Sequence, residues 1–136
     1  MRSNRVPNCA DLVRGGHEKL EQATLDLRAW WYLSRGAMTP PYEELSQRII
    51  DLREQLRAHF HDEESADHTL GLDDLPQPAN ERTILLADLD QMAARLRACH
   101  PGMDCWTDAD RALERFLKKL ESHETGELAT LPDVEI

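Results

Sequence analysis

Proline and glycine cut this chain into four long stretches, and within each the apolar residues return every three or four positions rather than every second one. The joints fall at Pro7, Gly36 to Pro41, Gly71 to Pro78 and Pro101-Gly102. The spacing predicts helices over about residues 9–34, 41–66, 79–98 and 107–129. The first stripe runs Val13, His17, Leu20, Thr24, Leu27, Trp31, and the second Leu45, Ile49, Leu52, Leu56, His59, Glu63. The third holds Leu85, Leu86, Leu89, Met92, Ala93 and Leu96, and the fourth Leu113, Phe116, Leu117, Leu120, His123 and Glu127. Thr107 before Asp108 and Asp110 reads as an N-cap with an acidic first turn. Pro40-Pro41 and Pro78 suit helix openings, and Pro132 closes the fourth helix. No alternating run suggests a sheet. The chain reads as all-α, an up-down-up-down four-helix bundle forming one domain over 1–136, with loose first and last residues.

Composition narrows the function classes. The 26 acidic against 16 basic residues give a net charge of -10, which disfavours nucleic acid and anionic membranes as partners. No stretch approaches the roughly 20 apolar residues of a membrane span. Met1 to Cys9 lack the apolar run of a secretory signal, and three cysteines are too few and odd for a disulfide framework. A cytoplasmic protein is the expectation. No nucleophile with an adjacent base, phosphate-cradling glycine loop or dinucleotide fingerprint is present.

The informative residues are polar ones on the apolar stripes. His17, His59, Glu63, His123 and Glu127 all lie on the face their helix turns to the core. Two helices carry the same unit, His59-x-x-x-Glu63 and His123-x-x-x-Glu127, whose members lie about 5–6 Å apart at Cβ. In an up-down-up-down bundle, His17 near the first helix's start meets the finishes of the second and fourth. All five then converge on one end of the core. Buried imidazole–carboxylate pairs without a metal are one reading. Each charged group then costs several kcal/mol unless well paired, and neighbouring carboxylates raise each other's pKa. A bound cation removes both problems, and imidazole with carboxylate suits iron, manganese or zinc.

These residues resemble the hemerythrin-like, or HHE, family of non-haem di-iron bundles. The resemblance is carried by His17, by Leu56-Arg57-Ala58-His59-Phe60-His61-Asp62-Glu63-Glu64, by His123 to Glu127, and by the ending Glu127-Leu128-Ala129-Thr130-Leu131-Pro132. The third segment, Arg82 to Leu89, has the look of the family's third helix. The resemblance implies two irons, with Glu63 and Glu127 at the bridging positions, His17 and His59 on one iron and His123 on the other. It implies binding or sensing of dioxygen, peroxide or nitric oxide. A peroxide-decomposing or ferroxidase-like enzyme and a metal-free interaction module are the rival readings.

One departure bears on this. The family places a histidine near the start of helix three, and none lies between His68 and His100. Glu81 can substitute as an oxygen ligand. Alternatively Arg82 points inward and neutralises a bridging carboxylate, leaving one metal at His17, His59, Glu63 and Glu127. Both alternatives stand at this point. Reversible oxygen carriage, which depends on a histidine-rich iron pair, is the least favoured family function.

The remaining polar residues have plainer roles. His61 and His68 are expected to face solvent, and Asp62 and Glu64 to form an acidic collar. Cys99 and Cys105 flank a helix turn, at a spacing that is neither Cys-x-x-Cys nor zinc-finger, as free thiols or a disulfide tying the turn. Trp31 belongs to the core, with Trp30 and Tyr32 covering the far end or a partner surface.

Overall fold

The computed structural model describes residues 9–35, 41–72, 76–100 and 103–131. The expected joints at Pro7, Gly36 to Pro40, Pro101-Gly102 and Pro132, and the loose termini, lie outside the described residues. Four helices and no strand occur among the described residues: α1 (Cys9–Ser34), α2 (Tyr42–Thr69), α3 (Pro76–Arg97) and α4 (Trp106–Thr130). The arrangement is consistent with a four-helix bundle. Among the described residues, no helix is long and apolar enough to cross a membrane. Each helix packs on two others, α2 on α1 and α3, and α4 on α3 and, most thinly, on α1.

Three boundaries differ from the periodicity for local reasons. α2 runs three residues past 66 and stops where Gly71 adopts φ +75°. There the Gly71 N–H donates to the His68 carbonyl and the Leu72 N–H to the Asp67 carbonyl, a Schellman closure that favours glycine. α3 starts at Pro76 rather than 79, because prolines in a first turn lack only N–H groups that have no helical partner there. At the start of α4, the Ala109 N–H donates to the Cys105 carbonyl at 3.0 Å. Thr107 therefore lies inside the first turn, and the N-cap is Cys105, with no side-chain cap.

The stripes become one core. Leu20, Leu27, Leu45, Ile49, Leu56, Phe60, Leu85, Leu89, Leu113, Phe116 and Leu120 are all buried together. Full burial of such side chains contributes about 1.5–3 kcal/mol each. At one end Trp31 stacks at 5.3 Å on Trp106, which meets Tyr42 at 6.2 Å. Ser46 Oγ donates to the Ala93 carbonyl at 2.9 Å. Trp30 lies under the Arg48 guanidinium at 4.1 Å, and Tyr32 is exposed. Cys99 and Cys105 form a disulfide across the α3–α4 turn.

At the opposite end a small second cluster, Ala10, Val13, Ala66 and Leu131, is buried separately. Along α1, α2 and α4 a polar layer falls between the two clusters. His17 lies between Val13 and Leu20, Glu63 between Phe60 and Ala66, and His123 to Glu127 between Leu120 and Leu131.

Candidate metal centre

Glu63 is the centre of that layer. It is fully buried on α2, one turn beyond His59. Its Oε2 lies 2.9 Å from His59 Nε2, and its Oε1 lies 2.8 Å from His123 Nε2 on α4. One carboxylate thus links two histidines on different helices. Glu124, also buried, pairs its Oε1 with the same His59 Nε2. Glu127 sits one helical turn from His123, with Oε1 3.9 Å from its Nε2.

Among the described residues, two trios of potential ligands result, His59–Glu63–Glu124 and Glu63–His123–Glu127, each with its donor atoms within 4.8 Å of one another. They share Glu63. Such an imidazole–carboxylate set fits a divalent transition metal.

α3 supplies the layer's cation and its outer support. Arg82, buried at the first turns of α3, donates Nε to Glu63 Oε1 at 3.1 Å. Its Nη2 reaches Asp67 Oδ2 and Glu127 Oε1, each at 2.5 Å. Glu81, half-exposed, accepts from His123 Nδ1 at 2.6 Å and fixes the ring from outside. The choice left open between Glu81 and Arg82 therefore has a geometric answer. Arg82 points in, and Glu81 holds the far nitrogen of a histidine rather than joining either trio.

The electrostatics follow from this crowding. Burial alone would lower the pKa of His59, but hydrogen bonds with Glu124 and Glu63 prevail and raise it to about 9. His123 is likewise raised to about 9 against burial by Glu63 and Glu81. Burial opposes ionisation of Glu63, yet His123 and His59 hold it well below the usual carboxylate range. Burial, then repulsion from Glu63, push Glu127 up to about 7, with Arg82 opposing. Burial raises Glu124 as well.

Donors nevertheless run short around the first trio. His59 Nε2 carries one proton and faces two carboxylate oxygens. That single proton cannot serve Glu63 Oε2 and Glu124 Oε1 at once, and Glu124 Oε2 and His59 Nδ1 are buried with no hydrogen-bond partner. Buried carboxylate oxygens short of donors are costly, and a cation at this trio would supply the missing positive charge.

Of the expected ligands, His59, Glu63, His123 and Glu127 come together. His17 stands at the edge, partly exposed, with Nδ1 3.4 Å from Glu124 Oε1 and Nε2 3.8 Å from Glu21 Oε2. The expected one-metal set of His17, His59, Glu63 and Glu127 does not assemble, because Glu127 is on the Arg82 side and Glu124 takes its place beside His59. Glu124 and Asp67 were not foreseen. Glu124 had a signal, lying four residues after Leu120 and seven after Leu117. His61, His68 and Glu64 are exposed, and Asp62 half-buried.

No protein-family model matches the chain, and neither a curated protein nor a solved structure matches it.

Proposed function

We propose that this chain is a hemerythrin-like, up-down-up-down bundle that holds non-haem iron and binds or senses a small oxidant: dioxygen, peroxide or nitric oxide. The observation that carries the metal reading is the donor shortage at one imidazole nitrogen: His59 Nε2 faces both Glu63 Oε2 and Glu124 Oε1, and Glu124 Oε2 is buried with no hydrogen-bond partner. His59, Glu63 and Glu124 would hold the ion. Iron and the oxidant come from the resemblance carried by His17, His59, Glu63, His123 and Glu127. Bound iron supplies a coordination position where a small ligand can be polarised or reduced. The chain's own residues do the rest. Glu81 fixes the ring of His123, which orients Glu63. A groove of about 440 Å³ between α1 and α4, walled by Leu20, Leu25, Leu117, Leu120 and Leu128, runs to Glu124 and His17. Glu21, Arg28 and Glu121 also line it, so its walls are mixed and its inner end reaches the polar layer.

Protein loaded anaerobically with ferrous iron is expected to retain it through desalting and to gain new absorption bands on nitric oxide or peroxide. Retention without any response to either ligand would leave a metal site and remove the oxidant role. Peroxide loss that vanishes in Glu63→Ala would favour the enzymatic reading. The cytoplasmic location expected from the sequence is not carried into the proposal, because bonds such as Cys99–Cys105 persist in oxidising compartments.

A second reading has its own observation. Arg82 and the two raised histidines already pair with most of the buried carboxylates, so the layer is largely compensated as a metal-free interaction module. That reading predicts a melting temperature indifferent to both iron and chelator.

A further inference from the structure

The two trios differ in a way that decides how many ions they hold. In the first, Glu63 Oε2 and Glu124 Oε1 compete for the one proton on His59 Nε2, and Glu124 Oε2 has no hydrogen-bond partner. In the second, both carboxylates already hold a cation. Arg82 gives Nε to Glu63 Oε1 and Nη2 to Glu127 Oε1, at 3.1 and 2.5 Å. A metal in this trio would coordinate those carboxylates within a few ångströms of the guanidinium, and like charges at that distance repel strongly. Arg82 has nowhere to retreat: it is 6% exposed. Asp67, whose Oδ2 takes the same Nη2 at 2.5 Å, adds a third carboxylate that belongs to neither trio. A forked, planar donor set answers three carboxylates from two helices in a way one small ion does not.

We propose that the Arg82 guanidinium stands permanently where a second metal ion would sit, so that the centre takes one ion, at His59, Glu63 and Glu124, with Glu63 shared between that ion and Arg82. This rests on the metal-binding reading above and corrects its ion count from the two that the resemblance implies. The guanidinium keeps its charge at every accessible pH, so the second position contributes a fixed positive charge and no coordination site or redox change. His123, held by Glu81 outside and Glu63 inside, then serves as a positioning residue for Glu63.

The test is a count of Co(II) per chain on the metal-free, full-length protein, by elemental analysis and by titration of the cobalt visible absorption. The wild-type chain is expected to take one ion. Arg82→Ala is expected to take two, and Arg82→Ala with Asp67→Asn covers the case in which the single variant does not fold. Two variants keep Arg82 and are nearly isosteric. Glu124→Gln is expected to weaken binding by roughly tenfold or more, whereas Glu127→Gln keeps its single ion. Two ions in the wild type would overturn the substitution and leave the metal reading standing. A single ion in the Arg82 variants would do the same, as would loss of the ion in Glu127→Gln with retention in Glu124→Gln. No ion in wild type or variants would overturn the metal reading itself.

Discussion

Replacing Gly16 with alanine puts a methyl carbon 2.5 Å from His59 Nδ1 and 3.2 Å from its Cε1. One residue earlier, a methyl at Gly15 meets nothing within 4 Å. Both glycines lie inside α1, where Gly→Ala gains about 0.5–1 kcal/mol from helix propensity. Gly15→Ala should therefore stabilise by about that amount. Gly16→Ala carries the same gain against an overpacking cost of about 1–3 kcal/mol. The cost is hard to relieve, because the His59 ring is buried and engaged with Glu124 and Glu63. A net loss of up to about 2 kcal/mol follows, and a gap between the two variants of about 1–3 kcal/mol. Urea unfolding followed by far-ultraviolet circular dichroism, in chelator, measures both. If Gly16→Ala proves as stable as Gly15→Ala, His59 does not sit beneath the α1 backbone and the packing of the first trio is wrong.

The other expectations concern pH, the buried arginine and the disulfide. His59 and His123 are held at about 9 when folded, above their ordinary value of 6.5. Their stabilisation is complete below about pH 6.5 and lost as pH rises through 9. Glu127, raised to about 7, acts in the same direction between about pH 4.5 and 7, whereas the depressed Glu63 loses its contribution as pH falls below about 4.5. Metal-free protein should thus melt progressively lower from pH 6.5 to 9, and a flat profile there would contradict the paired histidines. Arg82→Ala strands three buried carboxylates and should cost about 3–5 kcal/mol in the metal-free chain by urea unfolding. A loss below about 1 kcal/mol would mean Arg82 is not buried among them. Reducing the Cys99–Cys105 bond opens a short loop and should cost about 2 kcal/mol. Equal stability with and without reductant, or ready alkylation of both thiols in unreduced native protein, would count against the bond.

The helices were legible because proline and glycine punctuate them and because leucines hold the 3.6-residue period from Leu45 to Leu56 and from Leu85 to Leu96. His59, Glu63, His123 and Glu127 sat on those stripes, and burial followed from position alone. What the sequence left unread were side chains one step off a stripe or past an assumed end. Glu124 is adjacent to His123, and the face of α4 is wide enough to bury both. Asp67 is one turn beyond Glu63, and a helix stopped at 66 excluded it. Helical angle puts Arg82 slightly nearer the centre of its stripe and Glu81 on the flank, a difference too small to decide which of them enters the site. The answer lies in carboxylates supplied by α2 and α4, a tertiary fact. His17 shows the converse: its stripe is right, but α1 packs thinly against α4, and the ring stays at the edge of the layer.

The most direct measurement is a crystal structure of iron-loaded protein with anomalous scattering recorded at the iron edge. One anomalous peak within ligand distance of His59 Nε2, Glu63 and Glu124, with Arg82 still on Glu63 and Glu127, is the predicted result. Iron-loaded crystals with no peak between those three residues would contradict the account and leave a layer of buried ion pairs.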